Sequence, residues 1–243
     1  SEAFLADYRR TITELIGDHY VATMRRLCNA SGLRFYGEIY GSNSPLNTQR
    51  TVSETDVILG EFWAHQENSE MPLVKDPASV AHVLGRTVIG AESFTASPNM
   101  MAGGWEQTPA TLKRVGDRAF INGVNMMMIH SFVHQPRSDL RPGFTLGPAG
   151  THFGRLDTWW PQAGSWIDYL ARCQLLLRQG QFGSDLLLLG HDDIDRFVSL
   201  AYPEIPSGYH FDSISPALFL RTTAGKGRVG IPGGTSYRAV ILP

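Results

Sequence analysis

Three glutamates stand at comparable places in the chain: Glu38 in LRFYGEIYG, Glu61 in DVILGEFW and Glu92 in RTVIGAESFT. At each, an apolar run stops and a Gly- or aromatic-rich turn begins. Where helices and strands alternate, such places are the carboxyl ends of parallel strands, where barrel folds set their chemistry. Carboxyls on rigid strand ends suit general acid/base catalysis, in which one group gives a proton and another takes one. Any one of the three is as readily a surface or salt-bridged carboxylate; the repetition carries the inference.

Other chemistries find less support. His130 and His134 are four residues apart, but MMMIHSFVHQP reads as a strand running into a loop, so the pair does not meet as it would on a helix, and HExxH is absent. GPAG and GIPGG do not sit between a strand and a helix as a phosphate-binding fingerprint must, and Ser93 is not in a G-x-S-x-G elbow. A net charge of -2 without a basic run gives no electrostatic reason to bind nucleic acid, and no apolar stretch is long enough to span a bilayer. Cys28 and Cys173 read as isolated buried thiols or as one disulfide.

The elements that must position these residues alternate along a chain of 243 residues, 42% of them hydrophobic. Leu15, Ile16, Tyr20, Met24 and Leu27 recur at helical spacing and predict a helix over 8–30, stopped by Gly32. A strand through Phe35 follows, then a polar loop from Gly41 to Ser53 and a strand from Val57 to Leu59. Asp76 before Pro77 marks a helix start, Gly85 its stop, and Thr87 to Ile89 the third strand. Thr108 and Pro109 repeat that start signal for a helix through Phe120, and the fourth strand is Val124 to Ile129. A complete barrel needs eight strands and roughly 250 residues. The expected fold is therefore α/β, the C-terminal half of a (β/α)8 TIM-type barrel over 1–182, followed by the start of a further α/β domain over 183–243. Gln135 to Thr158 forms an active-site rim and Pro161 to Gln179 a closing helix. The Leu run of SDLLLLG is a buried strand, with a helix near Asp195 to Ala201 after it. Opening on Ser1 and closing on the strand-like YRAVILP, the chain reads as a piece of a longer polypeptide.

YGEIYG, LGEFW, GAESFT, MIHSFVHQP and GPAGTHFGRLDTWWPQAGSWIDYLARCQLLLRQG, in this order, resemble family 106 of the glycoside hydrolases, the α-L-rhamnosidases, over nearly the whole chain. The resemblance implies removal of terminal α-L-rhamnose with inversion, a bound calcium ion, a carbohydrate substrate and a periplasmic or extracellular setting. It implies Glu92 as general base, with the general acid upstream of Ser1, so that the piece alone is inactive. Glu61 is then a second catalytic carboxylate or a calcium ligand, and Glu38 a sugar-binding residue. Trp63, Phe94 and Trp105 are expected to stack on the sugar's apolar face, whereas Trp159, Trp160 and Trp166 read as core. His130 is expected to bond sugar hydroxyls or to be a satisfied core histidine, with His134 and His152 in weaker versions of the same role; His19, His82 and His191 read as ordinary. Asp7 and Asp212 match acidic positions of the family, with a helix-start carboxylate and a turn residue as their plain alternatives. Two other readings stay open: a catalytically inactive carbohydrate-binding relative, and another exo-glycosidase on the same barrel, such as a β-galactosidase.

Overall fold

The computed structural model describes residues 1–39, 46–68, 71–97, 105–190 and 205–242. Strands β1 (Tyr36–Gly37), β2 (Val57–Trp63), β3 (Ile89–Thr95) and β4 (Met126–Ile129) follow one another in one sheet, with β1 parallel to β2 and β3 parallel to β4. Such neighbours need crossovers. Helices α4 (Pro72–Val83) and α5 (Pro109–Ile121) provide two of them.

Strands β2 and β3 run past the expected ends at Leu59 and Ile89, so Gly60 and Gly90 are interior to strands and Glu61 and Glu92 lie within them. The packing explains why neither glycine stops its strand: Val57 to Gly60 and Ile89 to Ala91 are buried without a break. Beyond Gly60, β2 alternates, with Phe62 buried and Glu61 and Trp63 half-buried. Residues i and i+2 share a face of a strand. Glu61 and Trp63 are therefore neighbours on the side away from the core.

Contacts divide the chain into a unit of Ser1–Gly60, Lys75–Ile89 and Gly180–Pro243 and a unit of Glu61–Val74 and Gly90–Gln179. Residues 180–243 thus group with earlier parts of the chain.

In the first unit, helix runs from α1 (Glu2–Glu14) through a π-helical stretch, Leu15–Val21, into α2 (Ala22–Ala30). Its buried stripe is Thr13, Gly17 and Val21, while Leu15, Tyr20 and Leu27 of the expected apolar face are more than half exposed. The small face turns inward because it meets α3 (Thr48–Ser53): a methyl on Gly17 would be 3.7 Å from Thr51 Cγ2. That short helix occupies part of the expected loop and is capped by Asn47, whose side chain accepts from the Arg50 N–H. Helix α4 begins at Pro72, not at Asp76, and carries Pro77 in its interior. Ile58, Val80, Ala81 and Ile89 form one core cluster with Val52 and Ala78.

A second core joins α4, through Val83, to the last third of the chain through Leu187, Ile214, Leu218 and Tyr237. Strand β5 (Leu186–Leu189), the Leu run, is central in a parallel sheet between β6 (Phe211–Ile214) and β10 (Ala239–Ile241). Burying one such leucine stabilises by about 1.5–3 kcal/mol. The strand-like YRAVILP segment therefore has a partner, since Val240 pairs with Leu187. Helix α7 (Pro216–Phe219) and a meander of β7 (Thr223–Gly225), β8 (Arg228–Gly230) and β9 (Ser236–Tyr237) complete this unit. Gly85 and Gly234 let the end of α4 and the 231–235 turn touch backbone to backbone: a methyl on either would run into a carbonyl of the other segment. The helix expected near Asp195 to Ala201 lies outside the described residues.

The second unit is built on Phe62, Phe94, Phe153 and Trp166, with Leu112, Val115 and Ala119 of α5 and Leu170 of α6 (Gly164–Leu177). Phe62 meets Phe94 edge-on at 4.9 Å, and Phe153 stacks on Trp166 within 5° of parallel. Thr108 and Thr111 form a reciprocal capping box before α5, as the Thr-Pro signal predicts. Cys28 and Cys173 are free thiols, half-buried rather than buried. Among the described residues no helix is long and apolar enough to cross a membrane.

Candidate active site

Glu92 is the one half-buried residue of β3, where all others are buried. Its Oε1 receives two contacts: the Thr95 hydroxyl donates to it, and His130 Nδ1 lies at 2.8 Å. Thr95 Oγ1 and His130 Nδ1 are themselves 3.1 Å apart, which closes a triangle. The one hydroxyl proton of Thr95 goes to Glu92, so in the Thr95–His130 bond it is His130 Nδ1 that donates and Thr95 Oγ1 that accepts. The Thr95 hydrogen bond and the His130 contact both fall on Oε1, and Oε2 has no partner among the described residues. The arrangement fixes one oxygen of a carboxylate and leaves the other for a ligand.

The strand end is held as closely as the side chain. Phe94 has φ 64°, an uncommon conformation for a residue with a bulky side chain. Each carbonyl around it has a donor: Ser93 from the His130 N–H at 3.0 Å, Phe94 from the Thr151 hydroxyl at 2.6 Å, Thr95 from the Ala64 N–H at 2.8 Å, and Ala96 from the Gly150 N–H at 2.6 Å. The segment Gly150 to Phe153 runs beside His130 and Ser131, exchanging bonds from Ser131 N–H to Thr151 and from Thr151 N–H to His130. The peptide between His130 and Ser131 is cis. Gly150 is required at its position: φ is +105°, and a methyl would come within 3.0 Å of Ser131 Oγ and 3.5 Å of His130 Nε2. The long loop after β4 therefore does return to this strand end.

Trp105 lies against the buried His152 with ring centroids 4.5 Å apart. Burial holds His152 below the ordinary histidine range, and the neighbouring His130 adds to that, which favours a neutral imidazole. Phe94 corrects the sequence reading. Its ring is fully buried, edge-on to Phe62 and close to Gly116, and has no face for a sugar; the φ reversal turns it inward. Trp63 is half-buried, with His65 at 5.9 Å, and His134 is exposed. Glu38 is exposed directly after β1. Asp7 is exposed on α1 and pairs with Arg10 at 3.6 Å. Trp166 is core, as expected, and Trp159 and Trp160 pack against it half-buried.

A model of glycoside hydrolase family 106, described as alpha-L-rhamnosidase, matches residues 1–243. The chain belongs to glycoside hydrolase family 106. A curated relative from Formosa agariphila, named "Putative beta-glucuronidase", is 36% identical over the whole of this chain. A solved rhamnosidase from Novosphingobium sp. PP1Y superposes with a TM-score of 0.85 at 29% identity, covering 98% of the chain. The chain spans 20% of the first protein and 23% of the second.

In this family 106 chain Asp212, expected to contact substrate or to sit in a turn, is instead a fully buried residue of β6. His82 Nδ1 lies 2.9 Å from Oδ1, and the Tyr237 hydroxyl donates to Oδ2 at 3.0 Å. Ser79 donates to Oδ1 at 3.2 Å, and Lys75 Nζ is 3.7 Å from it. Burial alone would raise this carboxyl. The His82 hydrogen bond and charge, Lys75 and Tyr237 outweigh that and hold it below the usual range. The same burial pulls Lys75 down, against the pull of Asp212, and pushes the Tyr237 hydroxyl up. His82, read as ordinary, is thus bonded to the buried carboxylate and stacked on Phe182 at 3.9 Å. No solvent or sugar reaches Asp212, which serves the packing of α4 on this sheet.

Thr95, Ser131 and Gly150 had no signal in the sequence. Thr95 is three positions from Glu92 and by alternation belongs on the other face. Only the backbone reversal at Phe94 brings it back.

Proposed function

We propose that this chain is the general-base portion of an inverting α-L-rhamnosidase, with Glu92 activating water and the general acid on polypeptide outside the chain. The observation that carries the reading is the Glu92 carboxylate, held at Oε1 by Thr95 and His130 with Oε2 unbonded among the described residues, in a chain of family 106. In inversion a carboxylic acid protonates the leaving oxygen while a carboxylate about 6.5–9.5 Å away takes a proton from water on the opposite face. Glu92 Oε2 takes that proton. Fixing Oε1 limits rotation of the carboxylate and so places the accepting lone pair. The four sequential strands are read as half of a (β/α)8 barrel, whose other half would bring the acid. Trp63 and Trp105 are the rings proposed to face the sugar, and His134 and His130 Nε2 are its proposed polar contacts.

Calcium needs six to eight oxygens. Among the described residues no group of three or more His, Cys, Asp or Glu could hold a metal, so these residues do not make a calcium centre by themselves. Glu61 is proposed as one ligand at most, and the proton transfer above does not involve the ion.

The deciding experiment is a screen of the complete protein on aryl glycosides, with NMR of the first-released anomer. Release of β-L-rhamnose from an aryl α-L-rhamnoside supports the reading; release of the α-anomer refutes inversion. The name of the Formosa agariphila relative favours a second reading, hydrolysis of a β-glucuronide, which the same screen tests. Sugar binding without turnover of any glycoside would indicate an inactive relative.

A further inference from the structure

We infer that Thr95 is a positioning residue for the Glu92 carboxylate, held on the correct face by the left-handed backbone of Phe94; the inference rests on Glu92 being the base. Alternation along β3 assigns residues 92 and 94 to one side and residue 95 to the other. The side chains do the reverse: the Phe94 ring is buried among Phe62, Phe153 and Trp166, and the Thr95 hydroxyl donates to Glu92 Oε1. The reversal is the positive φ at Phe94, at 64°. A bulky residue there stores of order 1–3 kcal/mol and persists only where its surroundings over-determine it.

They do so here. The Phe94 and Thr95 carbonyls are bonded to the Thr151 hydroxyl and the Ala64 N–H, and the ring lies against Gly116, where a methyl would come within 3.2 Å of it. A strand continued without the reversal would leave the phenyl group on the Glu92 side and carry the Thr95 hydroxyl away from the carboxylate. Besides burying the ring, the reversal places on Oε1 a hydroxyl donor that also accepts from His130 Nδ1. Thr95 is 2% exposed, so it acts on the carboxylate and does not touch substrate.

The test uses the complete protein with Thr95→Val, which keeps the shape without the hydroxyl, and Thr95→Ser, which keeps the hydroxyl. Thr95→Val is expected to lower kcat on an aryl α-L-rhamnoside by about ten- to hundredfold, the cost of a misplaced catalytic group. KM stays within about twofold, Tm is unchanged, and Thr95→Ser restores most of kcat. A crystal structure of Thr95→Val should show the Glu92 carboxylate in more than one rotamer. Wild-type kcat in Thr95→Val, equal losses in both variants, or a single unmoved Glu92 rotamer overturns the role of Thr95. Full turnover by Glu92→Gln instead overturns the base assignment, and the rotamer readout still judges the positioning contact by itself.

Discussion

Replacing Asp212 separates an internal structural role from a role toward substrate. Its carboxylate takes donors from His82 at 2.9 Å, Tyr237 at 3.0 Å and Ser79 at 3.2 Å, with the Lys75 ammonium at 3.7 Å. At an effective dielectric of 20 the Lys75 attraction alone is about 4 kcal/mol, most of it offset by the desolvation of both groups. Removing the acceptor leaves Lys75, 6% exposed, without its counter-charge and strands the Tyr237 hydroxyl, so Asp212→Ala should cost about 3–5 kcal/mol. Asp212→Asn keeps the volume and one acceptor oxygen, and should cost less. The sign of the pH dependence follows from the lowered carboxyl. Its contribution is complete above the unfolded carboxylate value, about 4, and is lost as pH falls through the lower folded value. Thermal unfolding between pH 3 and 7, with hydrogen exchange of β5 and β6, reads both effects. Wild type should lose stability in acid along a slope that Asp212→Asn lacks. Asp212→Ala unfolding within about 0.5 kcal/mol of wild type at neutral pH, the range of an ordinary surface change, would refute this account. So would an Asp212→Asn protein of unchanged stability that had lost turnover.

Glu92→Gln in the complete protein should bind sugar but lose about 10²–10⁴ in kcat, measured on an aryl α-L-rhamnoside, because the amide cannot take the proton from water. A calcium chelator should lower activity reversibly, with recovery on adding calcium; unchanged rates under chelation would remove the metal from the proposal. Burial pushes the Asp157 carboxyl up to about 6, against the Gly154 backbone hydrogen bond that lowers it. Because its folded value is raised, the penalty on the ionised form grows from the ordinary carboxylate range to about pH 6 and is complete above it. Asp157 is partly exposed, so after discounting for screening Asp157→Asn should stabilise by about 1 kcal/mol at pH 7.5 and by nothing at pH 3.5, read by denaturant unfolding.

Local chemistry was legible where local chemistry decides. Thr108 and Pro109 gave the start of α5, and the unbroken leucines gave β5, because a cap and a strand buried on both faces are specified by adjacent residues. Gly60, Gly90 and Pro77 misled because tertiary packing outweighed intrinsic preference: two glycines lie inside strands and the proline inside a helix. The apolar residues of the first helix point outward for a similar reason, since the close approach of α3 selects the small face. In the site, Glu92 and His130 could be picked out from their places in β3 and directly after β4. Thr95 could not, because the dihedral that aims it is imposed by partners as distant in sequence as Gly116 and Thr151. The pairing of His82 with Asp212 spans 130 residues and leaves no local pattern.

That separation constrains the order of synthesis. Residues 90–179, which belong to the other unit, leave the ribosome between α4 and the strands that cover it. When His82 and Lys75 emerge, their carboxylate is still untranslated, and Tyr237 follows later still. The intervening stretch can begin to collapse on the nascent chain, whereas α4 must wait with its polar groups in water. Truncation before β6 should therefore harm the element made much earlier.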